Sequence, residues 1–170
     1  ILGLGAAAWS VRREPLRITI PPLAWTTALP CAVLVVAACS APGWIWATEF
    51  GGYDALSYHL QLPVEWHAMG RAGGLEHNVY AFLPSAVEIA TLHLVTIADP
   101  GRDLAVAAQM LHAAMAIAAA CAIARLARRM FGLGSVAAIL LIGTPWVVVA
   151  GSLAYNEMVV VLLFVAALDV

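Results

Sequence analysis

Lysine is absent from this 170-residue sequence: its eight Lys/Arg-type side chains are all arginine. Charge of either sign is scarce. Charged residues make up 11% of the chain, about half the share found in soluble domains. The net charge of −2 points to no partner, and no basic stretch is long enough to suggest nucleic-acid binding. Cysteine is rare and odd in number. Cys31, Cys39 and Cys121 all fall in apolar segments, which argues against a disulfide framework or a Cys-x-x-Cys metal site and leaves them as small buried side chains. His67, His77, His93 and His112 show neither i, i+4 pairing nor HExxH spacing, so no zinc site is expected.

What the chain has instead is apolar length. It is 64% hydrophobic, with a mean hydropathy of +0.93. Ile18 to Thr48, Leu104 to Ala124 and Met130 to Asn156 carry no Asp, Glu or Arg. Each is long enough to cross a bilayer, for which about 20 apolar residues suffice. The expected fold class is all-α, a polytopic transmembrane bundle with spans at 22–46, 104–124, 135–151 and 157–170. A partial span at 1–10 precedes them, and 1–170 forms a single domain. The chain opens without Met and stops within the apolar run Val159 to Val170, so it is expected to be an N-terminal fragment of a longer protein. The opening segment is not expected to be a signal peptide, because its charges follow the apolar run.

The arginines orient the bundle. Arg12, Arg13 and Arg17 form one expected short loop, and Arg125, Arg128 and Arg129 another. Short basic loops mark the cytoplasmic side, which puts the segment between them, 48–103, on the outer face. Trp44 and Trp46 fit an aromatic belt at the outer end of the first full span. Pro30 is expected to kink that span.

The outer segment is structured rather than filler. Asp54 is placed to cap a helix through Leu56 and Leu60, and Pro63 starts or bends a second turn through Met69. Gly70, Gly73 and Gly74 break it. Helices are therefore expected near 54–69 and 85–98. Asn78 to Leu83 reads as extended. The second helix puts Val87, Ala90, Leu94 and Ile97 on one apolar face and is expected to lie along the membrane surface. A turn from Gly151 to Glu157 joins the last two spans, which brings Asn156 and Glu157 to the side that holds Asp54. Gln109 and His112 fall inside a span and should face other helices rather than lipid.

Two carboxylates, Asp54 and Glu157, thus stand at the outer boundary on different elements. Facing one cavity they could serve as a general base, hold a divalent cation, or both. For Asp54 a helix cap is an equally good reading. For Glu157 a solvated side chain near a helix N-terminus is the plainer one. His59 follows Asp54 by five residues, about one and a half helical turns. It is placed to touch a phosphate or simply to be solvated. Arg71 and Arg102 are the outer-side cations. Either suits an anionic phosphate, while pairing with Glu76 or Asp103 is the more ordinary fate.

The stretch Asp54-Ala-Leu-Ser-Tyr58-His59-Leu-Gln-Leu-Pro63 resembles the first outer loop of bacterial polytopic glycosyltransferases of the GT-C superfamily, in the Rgt-like and protein-mannosyltransferase-like subgroup. Pro84 with Glu88, the Arg128-Arg129-Met130-Phe131-Gly132 span end, Pro145, and Ala154-Tyr155-Asn156-Glu157 follow in the family's order. One departure stands out: the hairpin acid is more often Asp in that pattern, and Glu157 reaches farther by one C–C bond, about 1.5 Å.

The resemblance implies a hexosyl-type membrane transferase that inverts the anomeric carbon. Its donor would be a sugar on a polyprenyl phosphate, and its acceptor a lipid, glycan or protein at the outer face of the bacterial inner membrane. On that resemblance Asp54 is the general base and Glu157 assists it or helps hold a divalent cation. Tyr58, His59, Arg71 and Arg102 contact substrate. No organic cofactor is implied. The alternatives are a lipid-carrier transporter or flippase component and a membrane docking protein.

Overall fold

The structure, a computed structural model, describes residues 25–41, 53–97 and 103–169. The partial span 1–10, the loop holding Arg12, Arg13 and Arg17, the Trp44–Trp46 belt and Arg102 lie outside the described residues.

Among the described residues the chain is all-α, with one isolated bridge between Leu75 and Asn78 and no strand. Helix α1 is Trp25–Ala38. A π-helical turn, Ala55–His59, leads into α2, Gln61–Met69. A 3₁₀ turn, Val79–Phe82, precedes α3, Ala86–Ile97. The long α4, Asp103–Phe131, is followed by α5, Gly134–Ile142, α6, Pro145–Gly151, and α7, Glu157–Leu168.

Helix α4 is the axis of the fold. It packs along α5 and α7 and also touches α1, α3 and α6. Its inward positions are alanines: Ala113, Ala116 and Ala120 meet Leu34 and Ala38 of α1, Ile142 of α5, Val147 of α6 and Met158 of α7. Small side chains let helix backbones approach closely, so dispersion does the work that bulk would do elsewhere. Gly134 shows how close the approach is. A Cβ there would stand 2.6 Å from the Ala124 carbonyl oxygen. The tight reversal before it uses Gly132 at φ 73, a conformation open to glycine at no steric cost.

Several expectations are corrected. Arg125, Arg128 and Arg129 form no loop but lie on the last turns of α4. Arginine is a good helix former and is favoured near the helix C-terminus, where the carbonyl dipole is negative. Asp169, after α7, pairs with both Arg125 and Arg129, so the C-terminal ends of α4 and α7 lie at one end of the bundle. The expected span 135–151 is two helices bent by 64°. Pro145 supplies no backbone donor, and Thr144 before it is extended at φ −68, ψ 122, as the residue before proline prefers. Of the stretch Asn78 to Leu83, only the two ends are extended, and Val79–Phe82 between them forms a 3₁₀ turn. The Asn78 side chain caps a 3₁₀ turn by accepting from the Tyr80 N–H at 3.1 Å. The cysteines are unpaired, but Cys39 is exposed and the other two only half-buried.

By length and composition, Leu104–Phe131 is the one described helix able to cross a membrane alone, and the bent pair α5–α6 passes the same test jointly. Helix α1 runs through Pro30 and is a shorter apolar helix, as are α3 and α7.

Two polar side chains in α4 tie the bundle together. Gln109 donates to the Ala38 and Ser40 carbonyls at 2.7 and 2.9 Å, partnering carbonyls left over at the end of α1. His112 donates from Nδ1 to the Leu153 carbonyl at 2.8 Å, and its Nε2 accepts the Met158 N–H at 3.1 Å. Both side chains are buried and face other helices, as expected from the sequence. Replacing His112 by Leu strips the Met158 N–H of its partner, at a cost of about 1–3 kcal/mol, and leaves the Leu153 carbonyl with the Tyr155 N–H alone. His112→Leu is expected to lower the thermal midpoint of the detergent-solubilised protein by several degrees, whereas Leu140→Ala, on an exposed helix face, should leave it nearly unchanged.

Candidate functional site

The site begins with an irregularity. Pro63 has no N–H to give the His59 carbonyl, which disfavours regular α geometry in the turn before it. The chain takes a wider turn instead, closed by the Leu60 N–H on the Ala55 carbonyl at 2.8 Å. Such π-turns are rare and concentrate at functional sites. Here the turn alters alignment. In an α-helix, positions 54 and 59 would stand roughly 140° apart around the axis; i→i+5 closure brings residues five apart toward the same side. Asp54 has helical dihedrals, φ −64 and ψ −41, and its side chain makes no capping hydrogen bond. The cap reading is therefore overturned and its carboxylate is left half-buried for other use.

The turn is braced from two sides. Asn78 Nδ2 donates to the Ser57 carbonyl at 3.1 Å, which ties it to the 3₁₀ segment. Below it, Ala55 and Leu60 pack on Ala108 of α4 and on Ala154 of the outer turn. Leu62, Trp66 and Leu75 form a second apolar floor beneath Tyr58 and Tyr80, with Trp66 Nε1 donating to the Gly73 carbonyl at 2.7 Å.

On this base sits an aromatic and acidic cluster. Tyr58 stacks on Tyr80 with ring centroids 4.1 Å apart and contacts His59 at 4.1 Å. His59 in turn meets Tyr155 at 5.7 Å. The imidazole is not the solvated side chain that its sequence position suggested. Its Nδ1 lies 2.5 Å from Glu88 Oε1, and both side chains are 4% exposed. Glu88 Oε2 is buried with no hydrogen-bond partner, and so is Ser57 Oγ.

Glu88 also corrects the reading of α3. Its inward face is Glu88, Thr91 and Val95; Val87, Ala90 and Leu94 are only half-buried and Ile97 is exposed. The polar Glu88–His59 contact, not apolar periodicity, selects the face. Glu88 entered the sequence argument only as part of a family pattern. A lone acid in an otherwise apolar twelve-residue helix was the available signal for a buried partner.

Asp54 and Glu157 converge electrostatically. Burial, then the charges of Asp54 and Glu157, with smaller effects of Tyr80 and Glu88, push the Tyr58 phenol up to about 12. The Tyr155 phenol is raised by burial and by the same two carboxylates. The turn from Gly151 to Glu157 thus faces the π-turn. Glu157 itself is exposed in the first turn of α7, a rim position, while Asp54 is the more enclosed acid.

Of the other expected site residues, Arg71 does not join the cluster and Arg102 lies outside the described residues. Arg71 is exposed beyond α2 and makes no ion pair with Glu76 among the described residues. No group of three or more His, Cys, Asp or Glu that could hold a metal ion is found among the described residues.

No family model matches this chain, and neither the curated proteins nor the solved structures contain a match.

The phenols give a direct test of the convergence. Negative charge and burial both disfavour phenolate, so Tyr58 should ionise last of the four tyrosines. Spectrophotometric titration of the wild type is expected to show a component near the top of the range that Tyr58→Phe removes. Asp54→Asn should lower it only partway, because burial is the larger cause. An unchanged titration in Asp54→Asn would show that the carboxylate does not face the phenol.

Proposed function

We propose that this chain is the outer-loop-bearing part of a polytopic membrane glycosyltransferase of GT-C type, which moves a sugar from a polyprenyl-phosphate donor to an acceptor at the outer face of the bacterial inner membrane. The observation that carries the reading is the gathering of Asp54, Tyr58, His59, Glu88, Tyr155 and Glu157 at one end of an apolar bundle, opposite the end where Arg125 and Arg129 meet Asp169. A half-buried carboxylate with no cap bond, backed by apolar packing and flanked by phenols, suits a general base for an acceptor hydroxyl. The acceptor oxygen attacks the anomeric carbon as Asp54 takes its proton, and the phosphate leaves from the opposite face. The rings of Tyr58 and Tyr155 supply flat surfaces against which a sugar packs. Glu157, at the rim, orients the acceptor.

A transporter component is the second reading, favoured by the broken pair α5–α6, since interrupted helices line transporter sites. One experiment separates the two. Membranes carrying the full-length protein are supplied with radiolabelled sugar on polyprenyl phosphate, and transfer is compared between wild type and Asp54→Asn. The substitution preserves size and removes the base. Transfer by the wild type and a drop of about 10²–10⁴-fold in a normally inserted Asp54→Asn is expected. Equal transfer by both would remove Asp54 from its role. No use of any donor would put the transporter reading ahead.

A further inference from the structure

The proposed reaction poses an electrostatic problem. Its donor carries phosphate, yet the described charges that bear on Tyr58 are the carboxylates of Asp54, Glu157 and Glu88. A phosphate among carboxylates is repelled unless a strong donor or a cation meets it. Arg71 is exposed and outside this cluster. His112 has both ring nitrogens committed to the backbone. His59 is the remaining basic side chain of the cluster among the described residues, and its Nε2 is free of any hydrogen bond there.

The Glu88 contact equips His59 for that role. A buried carboxylate with a single partner and an idle second oxygen is costly, and a charge-assisted bond to an imidazolium offsets far more of that cost than a neutral ring does. The same bond fixes the ring, since the hydrogen bond at Nδ1 sets what Nε2 can do.

We infer that Glu88 and His59 form an anion-receiving dyad, in which His59 Nε2–H donates to a phosphate oxygen of the lipid-linked donor and Glu88 holds the ring in place. This rests on the glycosyl-transfer reading. In the transfer step the C1–O(phosphate) bond breaks with its electron pair going to phosphate, and the acceptor O–C1 bond forms. The acceptor proton goes to Asp54. The charge gained by the departing polyprenyl phosphate is met by the imidazolium, which keeps its proton. His59 touches substrate; Glu88 is a positioning residue. The titratable side chains in contact with the ring are Glu88 from α3, Tyr58 from the π-turn and Tyr155 from the turn before α7.

The test is equilibrium binding to the full-length protein in nanodiscs, using a short polyprenyl phosphate, the uncharged polyprenol, and inorganic phosphate as probes. His59→Gln and Glu88→Gln are each expected to weaken polyprenyl phosphate at least tenfold and leave polyprenol unchanged. In the transfer assay Glu88→Gln should raise the donor KM more than it lowers kcat. Inorganic phosphate that competes in the wild type but not in His59→Gln assigns recognition to the phosphate alone; competition by the lipid-linked form only assigns it to phosphate and chain together. Wild-type affinity for polyprenyl phosphate in both variants overturns the dyad even if sugar transfer is intact, whereas absent transfer with absent binding sinks the functional reading as well. Should neither variant fold, the ¹⁵N resonances of the wild-type His59 ring decide: they must move when polyprenyl phosphate is added, and a ring that does not respond overturns the inference.

Discussion

The end of this bundle that carries the 151–157 turn hangs on one imidazole. Between α6 and α7 the backbone leaves helical pairing for a few residues, and groups buried there have no regular partner. His112 supplies both kinds of partner at once, a donor to the Leu153 carbonyl and an acceptor for the Met158 N–H. The second is one of the orphan donors at the start of α7. Tyr155 and Glu157 lie between these two anchor points, so their placement against the π-turn follows from the register of α4. An apolar contact at position 112 would fill the space but fix neither the turn's height nor its rotation.

Comparing the buried polar groups separates scaffold from site. Gln109 and His112 are satisfied by backbone at ordinary distances. Each removes a deficit that the helix ends create, and nothing further is needed to explain them. Glu88 is different. Helix α3 would bury an apolar residue at position 88 at less cost, because a lone carboxylate with one idle oxygen carries a desolvation penalty that its single partner only partly offsets. Retaining such a group makes sense where charge at that point is wanted. The proposed phosphate contact through His59 gives it that purpose.

Much of this was legible in the sequence, through the scarcity of charge. The chain has so few ionisable residues that their positions alone sort the two ends, and Asp169 with Arg125 and Arg129 at one end answers Asp54 and Glu157 at the other. The π-turn was not legible, because periodicity assumes 3.6 residues per turn and the cue lay instead in Pro63 removing the donor for the His59 carbonyl. The face of α3 was misread for a deeper reason. Apolar periodicity finds the buried face when the surroundings are water. On the membrane reading, apolar side chains gain nothing by leaving lipid, and the residues that must turn inward are the polar ones. Glu88 and Thr91 obey that rule, and Ile97, 85% exposed, is its complement. Helix continuity through Arg125, Arg128 and Arg129 is hidden when charge is read as a sign of loop, because arginine itself favours helices.

The same logic weighs the broken pair α5–α6 against the acidic cluster. In a transporter, a helix break matters because freed backbone groups and dipole ends face a polar cavity. Here the break sits one short helix below the outer turn: α6 is seven residues, or about 10 Å. Its residues Gly143, Thr144, Pro145 and Trp146 are exposed, and the Thr144 hydroxyl donates back to the Leu140 carbonyl of its own chain. No charged residue occurs from Met130 to Asn156, so the bend offers an ion or polar solute no charged partner of its own. The charged groups lie one level higher, at the rim. A solute held there is held at a surface, where a proposed acceptor arrives from water and a lipid-linked donor from the side. The bend lets α6 lean toward α1 and α4, and on the proposed reading its end supports Tyr155 at that rim.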